Sequence, residues 1–276
     1  MSPSTAISVT FWGTRGSVPC PGPDTLRFGG NTTCVEFRIG DSSFVVDGGT
    51  GIINCGRDLL KRGRDTLDVY FTHTHWDHVC GLPFFGPAYV KGFHVDFHAG
   101  HLGGGKTLHS VLAKQMMEPL FPVPLDILND CTFEDFTCGS SWEVNGDTLV
   151  RTCPLNHPNG AVGYRVERDG RAVCFITDVE HRPESPDPAL VAFCRGADIM
   201  IYDAMFTDEE YARHVGWGHS TWQEALRLGD AAEVGQVVLF HHHPERTDTA
   251  QAAIEAAAAA VRPGTIAARE GSTIGV

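Results

Sequence analysis

The stretch Thr72-His73-Thr74-His75-Trp76-Asp77-His78 constrains this chain more than any other. It places three histidines and a carboxylate within six consecutive positions, directly after the apolar run Leu67-Asp68-Val69-Tyr70-Phe71. A strand that ends in alternating histidines points His73 and His75 to the same side. The chain must then turn, which brings Asp77 and His78 back toward them. Neutral imidazoles and a carboxylate at this spacing suit zinc, or manganese or iron. A solvated histidine-rich loop would account for scattered histidines. It does not account for H-x-H-x-D-H at the end of a strand.

The chain is 276 residues long and 42% hydrophobic, enough to bury a sizeable core as a single α/β domain. Its formal net charge is -13, which argues against a long nucleic-acid footprint, since that needs a basic surface. A small anionic substrate stays open, because bound divalent ions would reverse the potential locally. The N-terminus, Met1 to Ala6, has neither a basic segment nor a long apolar core and reads as no signal peptide. No apolar run approaches the ~20 residues of a membrane span. The nine cysteines are an odd count with no C-x-x-C pair, which points to a reducing cytoplasm without disulfides. Cys34, Cys174 and Cys194 fall in apolar runs and read as buried small hydrophobes; Cys80, beside the histidines, reads as packing rather than as a ligand.

Along the chain, strands are expected at Ile7–Phe11, Cys34–Ile39, Phe44–Asp47, Leu67–Phe71, Phe93–His98, Thr148–Cys153, Gly163–Val166, Ala172–Ile176, Ile199–Tyr202, Val237–Phe240 and Thr265–Ala268. Asp169-Gly170 is a hairpin-turn dipeptide. Helices are expected from Gly51 to Arg62, Lys106 to Met117, Pro188 to Arg195, Ser220 to Ala232 and Thr249 to Val261, with Ser220 and Gln223 as a capping box. Residues 84–130 read as an excursion from the core layers, a lid or dimer contact. Its histidines, His94, His98, His101 and His109, have no ligand-like spacing and read as structural or surface residues.

The second half repeats the pattern of strands that end in polar residues. His157, Asp178 and His241 each stand just past a predicted strand, as His73 and His75 do. Ligands at one edge of packed sheets can converge, and two metals sharing a carboxylate would need about this set. The run His241-His242-His243 leaves the last ligand open by one position; His241 is preferred because it follows the strand directly.

With H-x-H-x-D-H, Val46-Asp47-Gly48-Gly49 and the later strand-end residues, the sequence resembles the metallo-β-lactamase fold superfamily over nearly its whole length. The resemblance implies a four-layer αββα sandwich with metals at one edge of the paired sheets. It implies His73, His75 and His157 on one ion, Asp77, His78 and His241 on the other, and Asp178 bridging. Asp47 would orient the histidine loop. Asp203-Ala204-Met205-Phe206 and Gly216-Trp217-Gly218-His219-Ser220-Thr221 resemble motifs of the phosphodiesterase branch that includes tRNase Z. There a carboxylate orients a histidine that protonates the leaving oxygen, so Asp203 would orient His219; Asp203 stands where tRNase Z has glutamate. Gly13-Thr14-Arg15-Gly16-Ser17 with Gly29-Gly30-Asn31-Thr32 resembles a subgroup of phage anti-defence cyclic-nucleotide phosphodiesterases and their bacterial relatives.

The chemistry expected is hydrolysis of a small phosphodiester, a cyclic nucleotide first, by a hydroxide generated between two divalent ions. His219 would be the general acid, and Asp77 would serve as ligand and in catalysis. The competing readings are a tRNase Z-like RNA 3′-processing endonuclease, a hydrolase of another ester such as a phosphoribosyl cyclic phosphate, and a metal-binding sensor without turnover. In tRNase Z a protruding arm, inserted between the counterparts of His157 and Asp178, grips tRNA. Here that interval is roughly 20 residues, about one hairpin. Related phosphodiesterases are often dimers, so a homodimer is expected.

Overall fold

The protein is described here from a computed structural model covering residues 6–128, 130–182 and 186–276. Residues 1–5, on which the reading of the N-terminus falls, lie outside the described residues. The first half supplies β1 (Ser8–Gly13), β2 (Cys34–Ile39), β3 (Ser42–Val46), α1 (Ile52–Lys61), β4 (Thr66–Phe71), α2 (Trp76–Val79), β5 (His94–Ala99), α3 (Leu108–Gln115) and β6 (Cys131–Asp135). The second half supplies β7 (Ser141–Val144), β8 (Thr148–Leu155), β9 (Ala161–Arg168), β10 (Arg171–Ile176), α4 (Pro188–Cys194), β11 (Ile199–Asp203), α5 (Asp208–Tyr211), α6 (Trp222–Ala231), β12 (Gln236–Phe240), α7 (Asp248–Val261), β13 (Ile266–Ala267) and β14 (Thr273–Gly275).

These strands form two seven-stranded sheets, ordered β14-β1-β2-β3-β4-β5-β6 and β13-β12-β11-β10-β9-β8-β7. Side chains alternate between faces with period two, which sets the layers. In β10, Val173 and Phe175 point to the other sheet and pack with Phe37, Phe44, Tyr164 and Phe240. Its Cys174 and Ile176 point outward, onto Leu190 of α4 and Leu226 and Leu228 of α6. The outer face of the first sheet, through Val69, Phe71, Val95 and Phe97, is covered by Ile52 and Leu59 of α1 and Leu108 and Leu112 of α3. The result is the expected αββα order of layers. Truncating an inner-layer aromatic such as Phe175, which has no exposed surface, would cost about 3–5 kcal/mol.

Strand direction is what collects the site. β3 and β4 are parallel, and so are β10, β11 and β12. β8 and β10 both run antiparallel to β9, so β8 points the same way as β10. The C-terminal ends of β3 and β4 in one sheet, and of β8, β10, β11 and β12 in the other, therefore lie along one rim. Asp47, His73, His157, Asp178, Asp203 and His241 all sit at these ends.

Four expectations are corrected. Residues 84–130 are not an excursion throughout: β5 is a central strand between β4 and β6, and α3 covers it. What projects is a smaller patch in which Phe84, Met117 and Leu120 are exposed. α6 is capped by Thr221, whose side chain accepts from the Glu224 N–H at 3.0 Å, and not by Ser220. Ser220 Oγ is engaged elsewhere, by His181 Nδ1 at 2.9 Å and the Tyr202 hydroxyl at 3.3 Å. β6 and β7 were not expected; they are half-exposed edge strands with too little apolar alternation to stand out. The chain also continues past β13, returning β14 to pair with β1.

Candidate metal centre

The histidine loop is held from below by Asp47. Its Oδ1 accepts the Thr72 N–H at 2.8 Å, Thr72 Oγ1 lies 3.0 Å from both carboxylate oxygens, and His78 Nδ1 lies 2.8 Å from Oδ2. Asp47 is fully buried, so these bonds fix the loop rather than compete with water. His78 Nδ1–H thus donates to Asp47, and Nε2 is the atom that faces the site.

Two donor sets converge on Asp178. His73 Nε2 and His157 Nε2 each lie 3.6 Å from its Oδ2. His78 Nε2 and His241 Nε2 lie 3.2 and 3.1 Å from its Oδ1. Asp77 Oδ2 completes the second set, 3.4 Å from His78 Nε2 and 3.3 Å from His241 Nε2. His75 completes the first, with Nδ1 2.9 Å from His157 Nε2. Donor atoms of His73, His75 and His157 lie within 4.8 Å of one another, as do those of Asp77, His78, Asp178 and His241. Asp178 therefore offers one oxygen to each set, the disposition of a carboxylate that can bridge two ions.

A third grouping, Asp178, Asp203, His219 and His241, meets the same distance limit. Its His219 Nδ1 is occupied by Asp203 Oδ2 at 2.9 Å, so this nitrogen has no lone pair to give and the grouping does not suit a cation.

The residues fit divalent cations on the chemistry of the donors. His73 Nε2 and His78 Nε2 are buried and make no hydrogen bond. The His157 Nδ1–H donates to the Gly218 carbonyl at 2.7 Å, which leaves Nε2 with its lone pair. Burial holds His73 well below the ordinary histidine pKa and lowers His75 and His157 as well, which favours the neutral rings a cation needs. Burial also opposes charge on Asp77 and Asp178, yet the surrounding imidazoles hold both carboxyls well below their usual range. At His78 burial again opposes the charge, and Asp178, Asp77 and Asp47 outweigh it, raising this pKa well above the ordinary value. Without metal, a protonated imidazole is the cation among three buried carboxylates. Buried carboxylates in such number call for counter-charge.

The backbone is bent to make this rim. Asp47, Asp178 and His241 have φ of 66°, 59° and 58°, in the left-handed region that costs a non-glycine residue about 1–2 kcal/mol. Each turns its side chain back over the strand end. Two glycines allow close approach. A Cβ on Gly16 would lie 2.5 Å from the His241 ring, and one on Gly218, at φ +87°, would lie 2.4 Å from His157 Nδ1.

The choice between His241 and its neighbour is resolved by orientation: His242 Nε2 lies 2.8 Å from the Ala268 carbonyl oxygen, away from the site. Cys80 is buried, with its thiol pushed up by burial, and packs against Thr32 Oγ1 at 3.6 Å. His94 and His98 pair with Asp96 and Asp68 at 3.0 Å. His101 is nearer the site than its spacing suggested, with Nε2 3.0 Å from Thr74 Oγ1.

Sequence reasoning missed several supports. The Ser17 N–H donates to Asp77 Oδ2 at 2.7 Å. That loop is pinned by the buried Arg15, which donates to the carbonyls of Gly29, His243 and Arg246 at 2.8 to 3.1 Å. Asn159 Nδ2 lies 3.2 Å from His75 Nε2. Glu180 accepts from the N–H groups of Gly216 and Gly218 at 2.6 and 2.8 Å and from the Tyr211 hydroxyl at 3.0 Å. Backbone donors leave no side-chain signature, and a lone Glu180 two residues past Asp178 has no pattern of its own.

The fold, the rim and the paired donor sets define a metallo-β-lactamase-type protein, and residues 44–242 match the beta-lactamase superfamily domain, so the chain belongs to that family. Among its relatives is the ribonuclease Z of Mycobacterium bovis (strain BCG / Pasteur 1173P2), 24% identical over 267 residues that cover 86% of each chain. Similar solved structures are the metallo-beta-lactamase fold protein YhfI from Bacillus subtilis (TM-score 0.72, 18% identity, 98% of this chain and 99% of that one) and human tRNase Z, short form (TM-score 0.67, 21% identity, 98% and 99%). The resemblance to this superfamily and its tRNase Z-containing branch is met. Among the described residues no helix is long and apolar enough to cross a membrane.

Proposed function

We propose that this chain is a phosphodiesterase that uses two divalent metal ions, zinc first and manganese or iron as alternatives, on a small cyclic nucleotide. The observation that carries the reading is the pair His219–Asp203 standing beside Asp178. His219 Nδ1 lies 2.9 Å from Asp203 Oδ2 and 3.9 Å from Asp178 Oδ2. His73, His75 and His157 would hold one ion, Asp77, His78 and His241 the other, and Asp178 both. Bound there, the ions would supply a hydroxide at neutral pH and offset charge on the phosphoryl oxygens.

The chain's own residues do the rest. Asp203 fixes the His219 tautomer with Nδ1 protonated, so Nε2 is the atom that can pass a proton to the departing alkoxide. Burial opposes charge on this ring, but Asp203 outweighs it and raises the pKa to about 9, which keeps the acid form available near neutrality. Asp77, tied to the Ser17 N–H, keeps its carboxylate aimed into the second donor set. Gly218 orients His157 through its carbonyl while its own N–H is held by Glu180, so one loop serves a ligand and the acid.

Substrate size is argued from the β9–β10 hairpin. Arg168 and Arg171 pair directly around Asp169-Gly170, so between His157 and Asp178 the chain makes one tight hairpin and no arm. With a net charge of -13, this favours a small substrate over tRNA. The second reading, an RNA 3′-processing endonuclease, is favoured by the relatives named ribonuclease Z. A panel of cyclic mononucleotides, cyclic oligonucleotides, a phosphoribosyl cyclic phosphate and a tRNA precursor, with products identified, separates them. Turnover of the tRNA precursor alone would overturn the cyclic-nucleotide reading.

We also propose a cytoplasmic homodimer. Its supports are nine free cysteines and the exposed Phe84, Met117 and Leu120. A monomer mass by light scattering at micromolar concentration would refute the dimer.

A further inference from the structure

A cavity of about 440 Å³ opens beside the first donor set. Thr74, His75, His101, Asn159, Lys106 and Lys114 are among the residues that line it. Three observations set it apart. The chain holds only four lysines, and two of them are here. Among the described residues no carboxylate lines the cavity, although acidic residues outnumber basic ones 34 to 21 over the chain. Both lysines are exposed, and among the described residues neither has an ion-pair partner, while most of the arginines do. α3 places them eight positions apart, one before its first turn and one in its last.

Two exposed ammonium groups lining a cavity in which no described carboxylate stands form a site for an anion. His75 belongs both to this cavity and to the donor set, so an anion bound here is part of a molecule that also reaches the ions. A cyclic mononucleotide has a single phosphate and would leave the lysines unused. We infer that the cavity is a subsite for a second, non-scissile phosphate, and that the substrates are di- or oligonucleotides, cyclic or linear, rather than mononucleotides. This rests on the phosphodiesterase reading above; within it, it excludes mononucleotides and admits linear as well as cyclic substrates.

The test uses metal-loaded protein and a matched pair of probes, a thymidine dinucleotide with and without a 5′-phosphate, measured by calorimetry at low salt. The wild type should bind the 5′-phosphorylated form about ten-fold more tightly, the scale of two partly exposed charge pairs. In Lys106→Ala/Lys114→Ala that ratio should fall to about one, and in Lys114→Glu it should invert. Raising the salt should shrink the wild-type ratio. Melting temperatures check that the variants fold, which the exposure of both side chains favours. Equal affinities in the wild type, binding of neither dinucleotide, or an unchanged ratio in the double variant would each overturn the subsite. Turnover of bis-p-nitrophenyl phosphate by the wild type is scored separately. An inert wild type that still prefers the 5′-phosphorylated dinucleotide would sink the phosphodiesterase reading and leave the subsite standing.

Discussion

The Gly218 N–H donates to Glu180 Oε2 at 2.8 Å, which ties the loop carrying His219 to the chain just past Asp178. His219 and Asp178 therefore keep their spacing through a side chain that touches neither. Glu180 is a positioning residue. Glu180→Ala should lower kcat for nucleotide substrates about ten-fold while KM changes less, since misplacing an acid harms the transition state more than binding. Glu180→Gln keeps one acceptor oxygen but sets its amide N–H2 against the other backbone donor, so it should recover only part of the loss. Equal losses in both variants, following a drop in melting temperature, would mark Glu180 as structural only.

His219→Ala should cut hydrolysis of a nucleotide substrate by ~10²–10⁴-fold, the range for general acid–base catalysis. Bis-p-nitrophenyl phosphate should suffer much less, because p-nitrophenolate leaves without a proton. Asp203→Asn should show the same selectivity in weaker form, by misorienting the ring. Metal content, measured alongside, should not change. If it falls, His219 is a ligand and the assignment of His157 or His241 is wrong.

Elemental analysis should give near two equivalents of metal per chain, and Asp178→Ala should empty both donor sets together, because one oxygen faces each. Chelation should lower the melting temperature by roughly 10–20 °C relative to protein with both sites at ion concentrations about a hundred-fold above Kd. A single equivalent that supports full activity would rule out the two-ion arrangement.

The pH profile follows from the raised pKa of His219, about 9 in the metal-free chain. The acid must be protonated to act, so kcat for an alkoxide-leaving substrate should fall as pH rises through the His219 pKa. Cations bound nearby disfavour a charged ring and bring that limb to lower pH. The limb should be missing for bis-p-nitrophenyl phosphate and in His219→Ala. In stability the sign is the same: a pKa raised above the unfolded ~6.5 contributes fully below that value, and the contribution is lost as pH climbs through about 9. A limb shared by both substrates would trace to a different group.

The rim was legible in sequence because strand ends carry their own punctuation. An apolar run that stops at His, Asp or Thr shows both the strand and the residue it presents, as at Phe71-Thr72-His73 and Ile176-Thr177-Asp178. Layer order was legible only through the family resemblance: β10 is an uninterrupted apolar run buried on both faces, which marks an enclosed strand without showing which face meets which layer. What escaped was held by features without side-chain identity. The Ser17 and Gly218 N–H groups are backbone donors. β6, β7 and β14 are edge or terminal strands whose partners, rather than their composition, make them strands. The role of β5 was hidden because its glycine- and proline-rich surroundings outweighed a six-residue alternation. Ser220 has the pattern of a cap in sequence, and only the fold reveals that His181 and Tyr202 already engage its hydroxyl.

The donor sets draw on both sheets, and the sheets draw on opposite halves of the chain. During synthesis, His73 to His78 emerge well before Asp178, and His241 comes last of all. A chain growing from its N-terminus therefore carries half a coordination sphere for most of its assembly, with imidazoles free to take up the wrong ion or none. Only when β12 docks is the second donor set complete. By then β14 still has to cross back to cover the open side of β1. Capture of metal and closure of the sandwich are thus late events of one folding process, and a truncation at the C-terminal end would be read out first at the metal centre.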